Sequence, residues 1–255
     1  MARVKLADKV SVVTGGGRGI GEAIAQRFRA EGATLAILDL DPAAAGEVAR
    51  AVDGTAHGCD VSARDSVERA FAEVIDQHGR IDVLVNNAGV ALAGPSETFS
   101  DADWDTSIGV MQTGVFLCSQ VAGRDMLARG SGSIVNISSI NAWAAFPMRL
   151  AYCAAKAAVV AMTEVLAIEW ADRGVRVNAV APGVTRTALV QKGIDDGVVD
   201  VERYTARTPL HRFGEPDEIA RAVLYLANDE DGAFVTGTTL RIDGGWSAQG
   251  WIIRD

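Results

Sequence analysis

Two reactive side chains stand four residues apart in an otherwise apolar stretch, AYCAAKAAVV: Tyr152 and Lys156. Alanine-rich sequence favours a helix, because alanine loses no side-chain entropy there. On a helix, positions i and i+4 share a face. A phenol and an ammonium therefore project the same way from one rod. Such a pair is either an acid/base couple or a tyrosine tip beside a snorkelling lysine at a core edge. The ten residues alone leave both open.

A second chemistry-bearing stretch is TGGGRGIG, Thr14 to Gly21, between a strand-like run (VSVVT) and a helical one (IGEAIAQRFRAEG). Gly15, Gly17, Gly19 and Gly21, with Arg18 and Ile20 among them, form a loop that turns tightly. Its backbone comes close to a pyrophosphate, which the following helix N-terminus attracts. Asp39 closes the next run, AILDL, 18 residues beyond Gly21. A carboxylate there accepts hydrogen bonds from adenosine ribose hydroxyls and repels a 2′-phosphate, which favours NAD over NADP. Arg18 is the opposing sign, since a cation in this loop meets such a phosphate. Leu40 and Asp41, not a cation, follow Asp39. The alternative is that Asp39 only caps the next helix.

These groups need a frame, and the chain supplies one. Short apolar runs (11–14, 34–40, 55–61, 81–89, 132–139, 175–183, 234–245) alternate with helical patterns (20–32, 42–52, 62–79, 101–129, 152–170, 216–228). Pro42 marks a helix start, Gly32 a helix stop, and Ser62 with Asp65 a capping-box-like start. Continuously apolar strands alternating with helices imply a parallel sheet covered on both faces, hence one doubly wound (Rossmann) α/β domain over 1–255. Residues 186–215 are the least regular and follow a strand's carboxyl end, where such sheets bind ligands. A substrate lid is expected there. The 255 residues, 49% hydrophobic, suffice for one large core. A net charge of −9, with no basic block, argues against nucleic acid and anionic membrane as partners. The N-terminus lacks the apolar core of a signal peptide, and the three cysteines read as reduced packing residues, so a cytoplasmic location is expected. His57, His78 and His211 are far apart in sequence, and no metal site is expected.

TGxxxGxG at 14–21, NNAG at 86–89, SS at 138–139, Tyr-x-x-x-Lys at 152–156 and PG at 182–183, in this order, resemble the short-chain dehydrogenase/reductase family. The resemblance covers nearly the whole chain. It implies that Tyr152 is the catalytic acid/base. Lys156 would lower the phenol's pKa, together with an oxidised nicotinamide, and bind the nicotinamide ribose. It implies that Ser139, 13 residues before Tyr152, holds the substrate oxygen. Ser138 is expected to face the other way on an extended chain. Asp60 and Val61 would meet the adenine. Asn87 and Gly89 would lie beside the adenosine ribose, and Gly183, Thr185 and Thr187 would hold the carboxamide and phosphates. Asn86 either serves that loop or only pins adjacent strands, and Cys153 packs beside Tyr152. A homodimer or homotetramer is implied, with helices 101–129 and 152–170 forming one interface.

One position departs from the family. Its pattern W-x6-N-x-x-G-x-F reads WDTSIGVMQTGVF here, so Met111 stands where a catalytic Asn is expected. Methionine cannot orient the water that links Lys156 to solvent. Gln112 would face elsewhere unless the helix is distorted. The proton relay is then rebuilt, slowed or lost. The substrate side is expected to include Ser139, Asn141, Tyr152, Val90, Phe146 and Met148. Trp143 either lines it or packs under the lid, and Arg149 meets an anionic substrate or is merely solvated. A secondary alcohol or ketone, cyclic and polyhydroxylated ones included, fits this mix. Two other functions share the motifs: an NADPH-dependent 3-oxoacyl-thioester reductase, and a nicotinamide-binding sensor without turnover.

Overall fold

A computed structural model describes residues 4–197 and 199–250. Seven strands form one parallel sheet in the order β3-β2-β1-β4-β5-β6-β7. They are β1 (Val10–Thr14), β2 (Thr34–Asp39), β3 (Thr55–Gly58), β4 (Val83–Asn86), β5 (Gly132–Ile137), β6 (Val175–Pro182) and β7 (Thr239–Ile242). Between β1 and β4 the strand order reverses, and the two carboxyl ends diverge to open a crevice.

The apolar runs are continuous because both faces are covered. Val13, Leu35, Ile37 and Val135 pack with Ile24 and Phe28 of α1 (Gly19–Ala30), Val48 of α2 (Pro42–Ala51) and Val223 of α9 (Pro216–Ala227). Their neighbours Val12, Leu38, Leu84 and Ile134 face the other way. They meet Phe71 of α3 (Arg64–His78) and Met126 of α5 (Gly114–Arg129), beside α6 (Leu150–Trp170). Adjacent residues on opposite faces are the period-2 geometry of a strand.

A buried polar chain ties the second layer to the sheet. Asn86 Nδ2 donates to Asn136 Oδ1 (2.8 Å) and Ser119 Oγ (2.9 Å), and Asn136 Nδ2 donates to Thr163 Oγ1 (2.9 Å). Asn86 thus pins adjacent strands. Each buried amide has its partners, so the chain orients β4, β5, α5 and α6 without an unpaired group.

Several sequence expectations need correction. Ser62 does not cap α3: its N–H and Oγ both bind Asp60 Oδ1, and Ala63 stands at the N-cap. The helix expected over 101–129 is broken. α4 (Asp101–Ile108) passes through a π-helical turn, Gly109–Thr113, before α5. The expected strands 55–61 and 234–245 shorten to β3 and β7. Residues 186–215 contain two short helices, α7 (Ala188–Asp195) and α8 (Val201–Arg207). His57 and His78, distant in sequence, meet in space: both Nε2 atoms lie 3.0–3.1 Å from Thr55 Oγ1, and His57 Nδ1 lies 3.0 Å from Glu73. By length and composition the segment Leu150–Arg173 is apolar enough to cross a bilayer. Here Ala155, Lys156, Val159 and Thr163 are buried, and α6 packs against β6.

Candidate active site

Strand β1 ends at Thr14, and Gly15 turns the chain with φ +58°, where a Cβ would meet Ala88 Cα at 2.7 Å. Only glycine accepts both constraints. At Gly17 a Cβ would fall 2.9 Å from Asp39 Oδ2, so its absence lets the Gly17 N–H donate to that oxygen at 2.9 Å. Asn87 fastens the loop from β4: its Nδ2 donates to the carbonyls of Thr14 (3.1 Å) and Gly15 (2.8 Å). Gly17 and Gly21 are not on the cleft wall; they let loop, helix and Asp39 pack together. Gly15, Arg18, Gly19 and Ile20 do line it, with Asp39, Asp60, Val61, Asn87, Gly89, Gly183, Thr185 and Thr187. The cleft measures about 940 Å³ and runs from this loop to Tyr152.

Asp39 caps nothing. The N-cap of α2 is Asp41, which accepts from the N–H groups of Ala43 and Ala44. The Ala44 N–H and the nearby Arg18 hold the Asp41 carboxyl below its usual range. Arg18 is paired with Asp41 at 2.6 Å, and Asp39 faces the cleft. The residues fit a dinucleotide: a glycine loop at a helix N-terminus, a carboxylate facing the cleft, and Gly19 and Thr187 together on the cleft wall beside that N-terminus.

Tyr152 and Lys156 sit one turn apart on α6, as i and i+4 require, with Lys156 Nζ 5.7 Å from the Tyr152 ring centroid. Lys156 Nζ donates to the Ile137 carbonyl at 2.7 Å, and burial pushes its pKa down to about 8. The half-buried Tyr152 phenol is pushed up by burial, opposed by the neighbouring Ser139 hydroxyl and by Arg149. That upward push belongs to the ligand-free protein; the expected fall is one for the dinucleotide-bound protein, where the Lys156 ammonium and the nicotinamide charge act together. Any lowering needs the positive charge of the bound dinucleotide as well.

Ser139 leaves β5 toward the cleft, while Ser138 Oγ turns away to the Lys156 carbonyl at 2.9 Å. The Ser139 hydroxyl is held on two sides by one residue. It accepts from the Asn141 N–H (3.1 Å) and donates to Asn141 Oδ1 (3.3 Å). Asn141 Nδ2 points at Cys153 Sγ, 3.7 Å away, so Cys153 packs against the residue that holds Ser139. Val90 and Phe146 line the cleft as expected. Trp143 and Met148 do not. Trp143 is 45% exposed and stacks on the Arg241 guanidinium at 4.5 Å, a cation–π contact that draws it outward. Met148 is 54% exposed, with φ +64°. Sequence reasoning named the 186–215 segment but not its contributing side chains, Leu189, Val199 and Tyr204. Tyr204 belongs to an aromatic group with Phe146, Trp246 and Phe213. Nothing in the local pattern distinguishes that tyrosine from a helix-surface residue.

Met111 lies in the π turn, fully buried, near enough to Gly89 that a Cβ there would meet its side chain at 3.9 Å. The helix is thus distorted at the position of the missing Asn, yet Gln112 does not enter the cleft.

A doubly wound sheet with a dinucleotide-type crevice and a Ser–Tyr–Lys group beside it defines the class of nicotinamide-dependent oxidoreductases. Residues 15–247 match the family model described as enoyl-(acyl carrier protein) reductase, and the chain belongs to the short-chain dehydrogenase/reductase family. It is 42% identical to a D-threitol dehydrogenase of Mycolicibacterium smegmatis, over 95% of this chain and 94% of that protein. It is 39% identical to an NAD-dependent glycerol dehydrogenase of Listeria innocua, covering 95% of each chain. The crystal structure of a levodione reductase superposes with a TM-score of 0.90 at 34% identity, over 95% of this chain and 99% of that one.

Proposed function

We propose that this protein is an NAD-dependent dehydrogenase that oxidises a secondary alcohol, cyclic and polyhydroxylated substrates included, or reduces the matching ketone. The observation that carries the reading is Asp39, held by the Gly17 and Asp41 N–H groups and facing the cleft, with Arg18 neutralised by Asp41. A 2′-phosphate would meet that carboxylate and find no free cation in the loop. The D-threitol and glycerol dehydrogenases among its relatives support a small aliphatic alcohol as the substrate class.

The nicotinamide supplies the hydride acceptor when bound. Ser139 and Tyr152 hold the carbinol oxygen, and the Tyr152 phenolate takes the hydroxyl proton at Oη. The Lys156 ammonium beside the ring favours that phenolate. Asn86 and Asn136 keep β4, β5 and α6 in register, so the reacting groups are positioned before substrate arrives. The 186–215 segment closes over the substrate, and its Tyr204 and Leu189 exclude water. The exposed apolar side chains Val165 and Ile168 on α6 and Phe116 on α5 support assembly as a homodimer or homotetramer. A cytoplasmic location suits three free cysteines.

Fluorescence titration with NADH and NADPH tests the reading. NADH should bind at least ~10-fold tighter, the effect of a like-charge clash worth about 1.4 kcal/mol. Tighter NADPH binding overturns it in favour of the thioester-reductase alternative. NADH binding with no hydride transfer, and no effect of Tyr152→Phe, favours the sensor.

A further inference from the structure

The cleft contains a guanidinium, that of Arg149, to which the mechanism above gives no substrate contact. Arg149 lies on its wall at the residue before α6, three positions ahead of Tyr152. A guanidinium has five N–H donors. One contact engages it: Nη1 donates to the Ala91 carbonyl at 3.2 Å. Among the described residues no carboxylate comes within ion-pair distance of it. The other cations of this wall are committed: Arg18 to Asp41 (2.6 Å), Lys192 to Asp196 (2.6 Å) and Lys156 to the Ile137 carbonyl. An unpaired cation is notable in a chain of net charge −9, where carboxylates are in excess.

Its surroundings suit an anion. The first turn of α6 carries no acidic residue and no side-chain cap, so the positive end of the helix dipole adds to the guanidinium. Val90, Phe146, Val184 and Leu189 supply apolar wall to the same cleft, so a ligand that meets the guanidinium there can also bury its carbon chain. A planar fork of bare donors in such a place matches a carboxylate with two parallel hydrogen bonds.

We propose that Arg149 is the anion-recognising residue of the substrate site, and that the substrate is a secondary alcohol bearing a carboxylate a few bonds from its carbinol carbon. The inference rests on the dehydrogenase reading of the same cleft. The short span follows from position, since Arg149 precedes by one turn the tyrosine that holds the reacting oxygen. A purely structural role for Arg149 is the competing account. Its bond to Ala91, with the Gly94 N–H to Met148 carbonyl bond (3.1 Å), ties the 90–94 loop to the turn before α6. A tether serves charged and neutral substrates alike, and that difference separates the two accounts.

The test uses a matched pair, 3-hydroxybutanoate and butane-1,3-diol, with NAD and the whole chain. Native protein should prefer the anion. Arg149→Met should lower kcat/KM for 3-hydroxybutanoate roughly 10- to 100-fold, mainly through KM, as expected for one charge-assisted pair. The diol should lose clearly less, because it shares only the smaller effect of Arg149 on the Tyr152 phenol. Arg149→Lys, which keeps charge without the fork, should restore part of the loss. Equal losses on both substrates, or native preference for the diol, overturn the proposal and leave Arg149 as a tether. A second readout needs no turnover: acetoacetate titrated into the NADH complex, followed by nicotinamide fluorescence. Saturation that Arg149→Met abolishes supports the anion site even where no hydride moves, and then only the dehydrogenase reading fails. No saturation of the native complex overturns the anion site.

Discussion

Lys156→Met removes an ammonium that is 4% exposed and whose Nζ donates to the Ile137 carbonyl. Burial lowers its pKa from 10.5 to about 8. Between those values the unfolded chain keeps a proton that the folded chain has lost. Stability rises with pH wherever the unfolded state binds more protons. The cost of the buried charge is therefore fully present below pH 8 and is relieved as pH climbs through the window from about 8 to 10.5. At about 1.36 kcal/mol per pKa unit the full relief is about 3 kcal/mol, of which about 2.5 falls between pH ~7 and ~10. The assay is urea unfolding of native protein and Lys156→Met at several pH values in that range. The difference between the two is the quantity of interest, since other titrating groups are common to both and cancel to first order. Native protein should gain about 2–3 kcal/mol on the variant across the range. Parallel curves would refute the reasoning, because the ammonium would then keep its ordinary pKa and be solvated or paired. The same shift bears on turnover. Without ligand, Lys156 is charged only below about pH 8, so cation support for the Tyr152 phenolate weakens above that point.

Three further outcomes are expected. Asp39→Asn removes the repulsion of a 2′-phosphate and should narrow the NADH preference by ~10-fold in paired binding titrations; an unchanged ratio would place the discrimination elsewhere. Asn141→Ala takes away the acceptor that fixes the Ser139 hydroxyl and should lower kcat by ~10-fold with KM nearly constant. Asn141→Asp puts a carboxylate beside the Ser139 hydroxyl and should move the pH profile of kcat upward; an unaltered kcat and pH profile would free Ser139 from this dependence. Met111→Asn exchanges a fully buried thioether for an amide and should lower stability by about 2 kcal/mol in the same urea assay while raising kcat less than about threefold. A tenfold gain in kcat would identify the missing amide as the limit on turnover.

Much of the frame and the centre of the site was legible because the signals are local. The Tyr152–Lys156 pair follows from helix periodicity, and the facing of Ser139 away from Ser138 follows from strand alternation. The glycine loop lies between a strand and a helix that their own apolar patterns announce, and Asp39 ends the next strand. These relations span a few residues, or one crossover of fixed hand.

What only the tertiary structure decided lies between segments distant along the chain. Trp143 leaves the cleft because Arg241, 98 positions on, offers a better partner at the surface. Arg18 loses its ambiguity because Asp41 faces it across the loop. Two histidines on β3 and the end of α3 converge on one threonine because strand and helix pack side by side. The π turn at Met111 and the upward shift of the Tyr152 phenol have the same origin. Helix regularity and phenol pKa both answer to what is packed around them, and packing is a property of the closed core that no local stretch contains.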